Sequence, residues 1–152
     1  MIHGVQLTPL KKLADERGRI MHLLRSDWPV FQSSGSFGEA YFSVVNPGVV
    51  KAWHLHKEIT LNYTAVTGMI KCVLYDDRED SPTRGEVNEL FLGEHNYQLV
   101  TIPPGIWNGV KGISATESMI AIVLNKPYNP GEVVRLDPFK NDIPYDWALK
   151  HC

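Results

Sequence analysis

Apolar positions along this chain fall in short runs rather than at helical spacing. EAYFSVVN, GVVKAWHLH, MIKCVLYDD, NELFLGE, YQLVTIPPG and SMIAIVLN are rich in Val, Ile, Tyr and Phe and bounded by Gly, Pro, Asn or Asp, the mark of strands. Asn46-Pro47-Gly48, Thr67-Gly68, Ser81-Pro82, Pro103-Pro104-Gly105 and Asn129-Pro130-Gly131 punctuate them as turns. That spacing predicts an all-β sandwich or barrel. Only KKLADERG and the terminal DWALKHC have room for a helical turn or two. There is no linker, low-complexity tract or solenoid-length repeat, so one domain is expected over residues 1–152. Its first 38 or so residues are less regular, and are expected to add an edge strand or to reach across to a second subunit.

Composition narrows the partners. The chain has 152 residues, 43% of them hydrophobic, enough for one core. A net charge of -2 from 15 basic and 17 acidic residues, without a long like-charge run, suits neither a nucleic-acid groove nor a membrane-binding face. No stretch of about 18 apolar residues is present. The N-terminus MIHGVQLTPLKKLADERG has neither the apolar core nor the cleavage site of a signal peptide, so a cytoplasmic protein is expected. Cys72 lies in an apolar run and Cys152 is the last residue, which predicts two free thiols rather than a disulfide framework.

The candidate chemistry sits in WHLHK, Trp53 to Lys57. In a strand, residues i and i+2 share a face, so His54 and His56 lie side by side while Trp53, Leu55 and Lys57 point the other way. Such a pair binds a metal, moves protons, or is simply held in the interior by hydrogen bonds. Gly48, His54, His56 and Gly68 fall in the register of the first cupin motif: Gly, five residues, His-x-His, three or four residues, Glu, six residues, Gly. The segment resembles a cupin, which implies a double-stranded β-helix, or jelly roll. The metal ligands do not follow. The Glu position holds Leu61, with Thr60 the other allowed place, and the last His of the second motif is Asn108 in PPGIWNG. Zinc-like sites want three or four imidazole or carboxylate donors, so no metal is expected unless Glu58, more simply a surface residue, or another chain completes the set. His54 is then a candidate general base, since an imidazole is mostly neutral at cellular pH yet readily protonated. A base of this kind is commonly oriented by a carboxylate on its other ring nitrogen.

A cupin without metal ligands in this context resembles the dTDP-4-dehydrorhamnose 3,5-epimerase family. The resemblance runs from about Asp15 to Trp147, through DERG, GVVKAWHLHK, YDDREDSPTRG, IPPGIWNGV, PYNPGE and DPFKNDIPYDW. It implies a homodimer that exchanges N-terminal strands and a reaction without cofactor. A proton leaves the carbon next to a 4-keto group of a nucleotide-diphosphate sugar and returns to the opposite face, in lipopolysaccharide, capsule or other deoxysugar supply. It assigns His54 as base, Asp137 as its carboxylate partner with Asp142 as fallback, and Lys51 to the place of an Arg that contacts substrate. Three departures point to fewer than two epimerised centres. Leu61 stands for a Lys, Asn108 for a second His, and Ile122 for the acid Tyr, leaving the turn's own Tyr128.

HLHK also resembles the dTDP-sugar 3,4-ketoisomerases. There both His54 and His56 face the sugar as proton carriers, with Tyr41 or Tyr63 assisting. The remaining candidates are paired with plainer roles. Trp107 and Tyr63 stack on the base or sugar, or pack the core. Lys51 and Arg78 offset the pyrophosphate, or Arg78 pairs within its turn. Asn62 bonds a sugar hydroxyl or keto oxygen, or is structural. Two further classes compete: a non-catalytic nucleotide-sugar-binding cupin, and a metal-dependent cupin.

Overall fold

Two five-stranded antiparallel sheets face each other in the computed structural model, which describes residues 1–149. Strands are β1 (Gln6–Pro9), β2 (Lys12–Asp15), β3 (Gly18–Met21), β4 (Glu39–Val45), β5 (Val50–His56) and β6 (Leu61–Thr67). They continue with β7 (Met69–Asp76), β8 (Val87–Gly93), β9 (Gln98–Ile102), β10 (Ile106–Gly112), β11 (Ser118–Leu124) and β12 (Val133–Arg135). The first sheet has the order β1-β9-β6-β11-β4 and the second β12-β5-β10-β7-β8. The all-β architecture expected from the strand pattern forms, as the jelly roll that the cupin resemblance implies. Its core lies between the sheets, where Leu61, Tyr63, Ala65, Ile70, Cys72, Leu74, Val100, Ile106 and Ile120 are buried.

The expected turns hold. Gly68, at φ +68°, joins β6 to β7, and a side chain there would meet Ser118 Oγ at 2.4 Å. Asn129 accepts from the Gly131 N–H and opens the short 3₁₀ turn Pro130–Glu132 that leads into β12. The N-terminal segment supplies an edge strand, since β1 pairs with β9.

Two local expectations fail. KKLADERG forms no helix; it is the β2–β3 hairpin. The Asp15 carboxylate accepts from the Arg17 N–H at 2.9 Å and pairs with its guanidinium, closing a tight turn that local helix propensity does not outweigh. A short helix forms instead at Pro29–Ser34, with Pro in its first turn and Gly35 donating to Phe31 O at its end. Of DWALKHC, Asp146 to Leu149 carry no helix, and the rest, including Cys152, lies outside the described residues. Cys72 is a free, buried thiol.

One irregularity interrupts β5. Along β10, Asn108 pairs with His54 and Val110 with Lys51, so Ala52 and Trp53 together oppose Gly109. This is a β-bulge, with one extra residue on β5. The Ala52–Trp53 peptide is cis. Both bulged side chains turn outward, where Trp53 is fully buried against Val73, Ile143 and Trp147 and Ala52 packs beside them. Gly109 has no room for a side chain, since a Cβ would come within 2.4 Å of Ala52 Cβ. Trp53 exchanges two backbone hydrogen bonds with Leu136, tying the bulge to the chain beyond β12.

Candidate functional site

A cavity of about 260 Å³ opens between the sheets. Strand β5 and its neighbours β10 and β12 make one wall, with Lys51, His54, His56, Asn108, Val133 and Arg135 facing in. The bulge is why Lys51 belongs there. Plain alternation from His54 would send a residue three positions earlier to the outer face, and the extra residue restores it to the inner one. The facing wall, from β6 and β11, is Leu61, Tyr63, Ile120 and Ile122, with Tyr41, Ser43 and Tyr128 at the rim. The site is therefore polar on one side and largely apolar on the other.

His54 is half-buried. Burial is the main cause of a pKa below the ordinary imidazole value, and the positive charges of Arg135 and Lys51 and the neighbouring His56 push it the same way. These influences favour the neutral ring, the form that can take a proton. His56 is more deeply buried, and its Nδ1 is hydrogen-bonded to Glu132 Oε1. Glu132 Oε2 accepts from the N–H groups of Lys57 at 3.0 Å and Glu58 at 3.2 Å. Asn108 Nδ2 donates to His54 O at 2.9 Å, so this amide braces the strand that carries the histidines.

At the mouth, Lys51 Nζ donates to Val44 O at 2.5 Å and Ser43 Oγ at 3.2 Å, and Arg135 Nη2 donates to Tyr128 Oη at 3.2 Å. Tyr63 forms part of the apolar wall, with its hydroxyl 3.0 Å from Cys72 Sγ. Burial raises both groups, the Tyr63 phenol well above its ordinary value and the Cys72 thiol to about 12, so neither ionises near neutrality. Among the described residues, no group of three or more His, Cys, Asp or Glu is placed to hold a metal ion.

Of the residues singled out from the sequence, Lys51, His54, His56, Leu61, Tyr63, Asn108, Ile122 and Tyr128 come together here, as does Tyr41. The others do not. Asp137 is exposed, and its Oδ1 accepts from the N–H groups of Phe139 and Lys140; it closes its own turn and does not reach His54. The fallback Asp142 also lies outside the cavity. Arg78 is held by Asp76, with Nε 2.8 Å from Oδ1, in a turn cluster with Ser81 and Thr83. Asn62 is buried and accepts from Thr101 Oγ1 at 2.7 Å, a structural amide. Trp107 packs on the outer face against the Trp53 cluster. Glu58 is a surface residue, paired with Lys126.

The sequence reading missed Arg135 and Glu132. For Arg135 there was a signal: VVR after an Asn-Pro-Gly turn reads as a strand, with Val133 and Arg135 on one face. Glu132 offered none, because its partner lies 76 positions away.

Comparison with known proteins fits this geometry. The family model described as dTDP-4-dehydrorhamnose 3,5-epimerase matches residues 1–152. A probable low-salt glycan biosynthesis epimerase, Agl13 of Haloferax volcanii, is 39% identical over 146 residues, covering 95% of this chain and 89% of that protein. The spore coat polysaccharide biosynthesis protein SpsL of Bacillus subtilis is 36% identical over 146 residues, covering 96% and 91%. Among solved structures, a dTDP sugar isomerase from Desulfovibrio desulfuricans G20 superposes with a TM-score of 0.91 at 39% identity, covering 96% of this chain and 92% of that one. NovW, a 4-keto-6-deoxy sugar epimerase from the novobiocin cluster of Streptomyces spheroides, gives 0.85 at 25% identity, covering 97% and 76%. These relatives favour neither the ketoisomerase reading nor the binding-module reading. With the family model matched along its whole length and a polar wall of histidines facing a sugar-sized cavity, this chain belongs to the dTDP-4-dehydrorhamnose 3,5-epimerase family.

Proposed function

We propose that the chain epimerises a nucleotide-linked 4-keto deoxysugar, without a cofactor, by removing a proton from the carbon next to the ketone with His54 as base. One observation carries the assignment: His54 faces the cavity with its basic form favoured by burial and by the cations beside it. The ketone makes the adjacent C–H acidic, and removing that proton sends its electron pair onto the ketone oxygen as an enolate. Lys51 and Arg135 border the same cavity and supply positive charge for that oxygen or for the diphosphate.

Whole-ligand pockets usually measure about 300–1,000 Å³. At about 260 Å³ this cavity suits the sugar end, with the nucleotide lying outside along the rim. The apolar residues Leu61 and Ile122 stand where the family resemblance calls for a Lys and a Tyr, which favours a single epimerised centre over two. The names of the two relatives, one of glycan and one of spore coat polysaccharide biosynthesis, favour a role in making a glycan.

A cytoplasmic homodimer completes the reading. Phe42 and Val44 are exposed on the edge strand β4, as are Leu13 and Ile20 on the β2–β3 hairpin, apolar surface of the sort that a second copy buries.

Proton NMR in D2O with dTDP-4-keto-6-deoxyglucose tests the function. Loss of the C3 or C5 proton signal with wild-type protein, and its persistence with His54→Ala, is the expected result. Equal exchange in both proteins removes His54 as base, and no exchange in either removes the epimerase reading.

A further inference from the structure

Glu132 is buried on the turn before β12, and its two oxygens have separate tasks. Oε2 is held by the backbone N–H groups of Lys57 and Glu58, while Oε1 takes His56 Nδ1. A buried carboxylate is costly unless its lone pairs are filled, and two backbone donors anchor this one independently of the histidine. With Nδ1 engaged, Nε2 is the ring nitrogen that His56 has left for the cavity it lines. The carboxylate that the family resemblance assigns to His54 is thus found on its neighbour.

The other candidates for returning a proton are poorly placed. Leu61, Ile120 and Ile122 on the facing wall hold no ionisable group. The Tyr63 hydroxyl contacts Cys72 inside the core, and the Tyr128 hydroxyl accepts from Arg135 at the rim. Tyr41, also at the rim, is the remaining rival. The titratable and charged groups around His56 are Glu132, His54 and Lys51, Tyr63 on β6 and Arg135 on β12, with Lys57 and Glu58 just beyond the strand.

Residues two apart on a strand are separated by about 6.6 Å. That is about twice the 3–3.5 Å at which reacting atoms meet. A sugar carbon lodged between the two imidazoles is within reach of both, one from each face, which is what inversion requires.

We propose that Glu132 is a positioning residue that holds His56 as the second proton-transfer group of the site. The proposal rests on the epimerase reading given above. His54 takes the proton from the carbon, and the C–H electron pair passes into the enolate. The imidazolium of His56, ion-paired with Glu132, then gives its Nε2 proton to the opposite face of that carbon, and the enolate electrons form the new C–H bond as the ketone is restored. His54 ends protonated and His56 neutral; one proton lost to water and one taken from it reset the pair.

Two measurements test this. The first follows dTDP-4-keto-6-deoxyglucose in D2O, recording deuterium uptake and epimer formation separately. His56→Asn is expected to cut epimer formation by about 100-fold or more while uptake into unepimerised sugar continues through His54. Glu132→Gln is expected to lower kcat by about tenfold or more, with KM little changed and with the epimer-to-uptake ratio falling. Epimer formation at the wild-type rate in His56→Asn overturns the proposal and points to Tyr41. A Glu132→Gln variant whose turnover falls only in step with its melting temperature, at an unchanged ratio, reduces Glu132 to a structural role and overturns it as well. The second measurement needs no turnover: 15N NMR of the histidines is expected to show His56 protonated at both ring nitrogens in the wild type, and shifted towards the neutral ring in Glu132→Gln. Identical spectra overturn the positioning role even if the enzyme is active. If the wild type neither exchanges nor epimerises, the reaction itself is wrong, and the proposal falls with it whatever the spectra show.

Discussion

The two faces of β5 hold opposite kinds of residue within seven positions. The inner face carries Lys51, His54 and His56 into a cavity, each with a charge or proton to offer. The outer face buries Trp53 under the C-terminal segment, where Trp147 and Tyr145 pack on it at centroid distances of 5.1 and 6.0 Å. Lys71 lies over the rings of Tyr145 and Trp147, and Lys111 Nζ donates to Trp147 O, so the segment is held by charge as well as by area. One face lines the candidate site on a support that the other provides. Neighbouring residues in the chain should therefore differ sharply in what their loss affects.

The largest separation is expected between His54 and Trp53. His54→Ala should lower deuterium uptake by about 10²–10⁴-fold, the usual worth of a general base, while the melting temperature stays close to wild type. Trp53→Ala should do the reverse in kind, costing about 3–5 kcal/mol of stability. For a domain of this size that is a fall of roughly 6–20 °C in melting temperature, read by calorimetry. Among the described residues the Trp53 Nε1 has no hydrogen-bond partner, so Trp53→Phe should cost only about 1.5 kcal/mol. A similar loss in Phe and Ala variants would mean that the indole contributes more than packing.

Gly109→Ala joins the two faces. The new methyl meets Ala52 Cβ at 2.4 Å and Trp147 Cζ2 at 3.0 Å, both packed against the bulge. A loss of about 1–3 kcal/mol in urea unfolding is expected, with reduced turnover because Lys51 and His54 shift together. Unchanged turnover in a destabilised protein would separate the bulge from the site.

The smallest effect is electrostatic. With His54 depressed below its ordinary 6.5, the acid limb of kcat/KM should lie below that pH, activity being present above the folded pKa and lost as pH falls through it. Arg135→Met removes a positive neighbour, which favours the imidazolium and raises the His54 pKa. The limb should move to higher pH, and its position can be read apart from any loss of affinity. An unmoved limb would leave burial as the main influence on His54, with Arg135 contributing nothing.

The strand pattern and its turns were legible because period-two alternation and Gly or Pro at turns are local properties of the chain. The β2–β3 hairpin was not, because KKLADERG has good helix formers and its turn depends on what the Asp15 carboxylate bonds. Within the site, His54, His56, Lys51 and Asn108 were readable from motif register. Trp107 was separable by parity alone, since its neighbour Asn108 faces in and it must face out. Asp137 and Arg78 misled for one reason: each has a partner within a few residues, in the backbone of 139 and 140 and in Asp76, and these local bonds leave nothing for the cavity. Glu132 is the converse, a residue whose meaning exists only once distant strands have paired.

The bulge at Ala52 and Trp53 works on the strand as a frameshift works on a message. A reader stepping two residues at a time back from His56 through His54 lands next on Ala52 and assigns Lys51 to the wrong side. The frame is displaced by one at a single point and is consistent again beyond it. A chain with one residue fewer between its basic residue and its histidine would aim the same two side chains into the same cavity by plain alternation. The spacing between Lys51 and His54 therefore records how the strand is built, and says little about what the site contains.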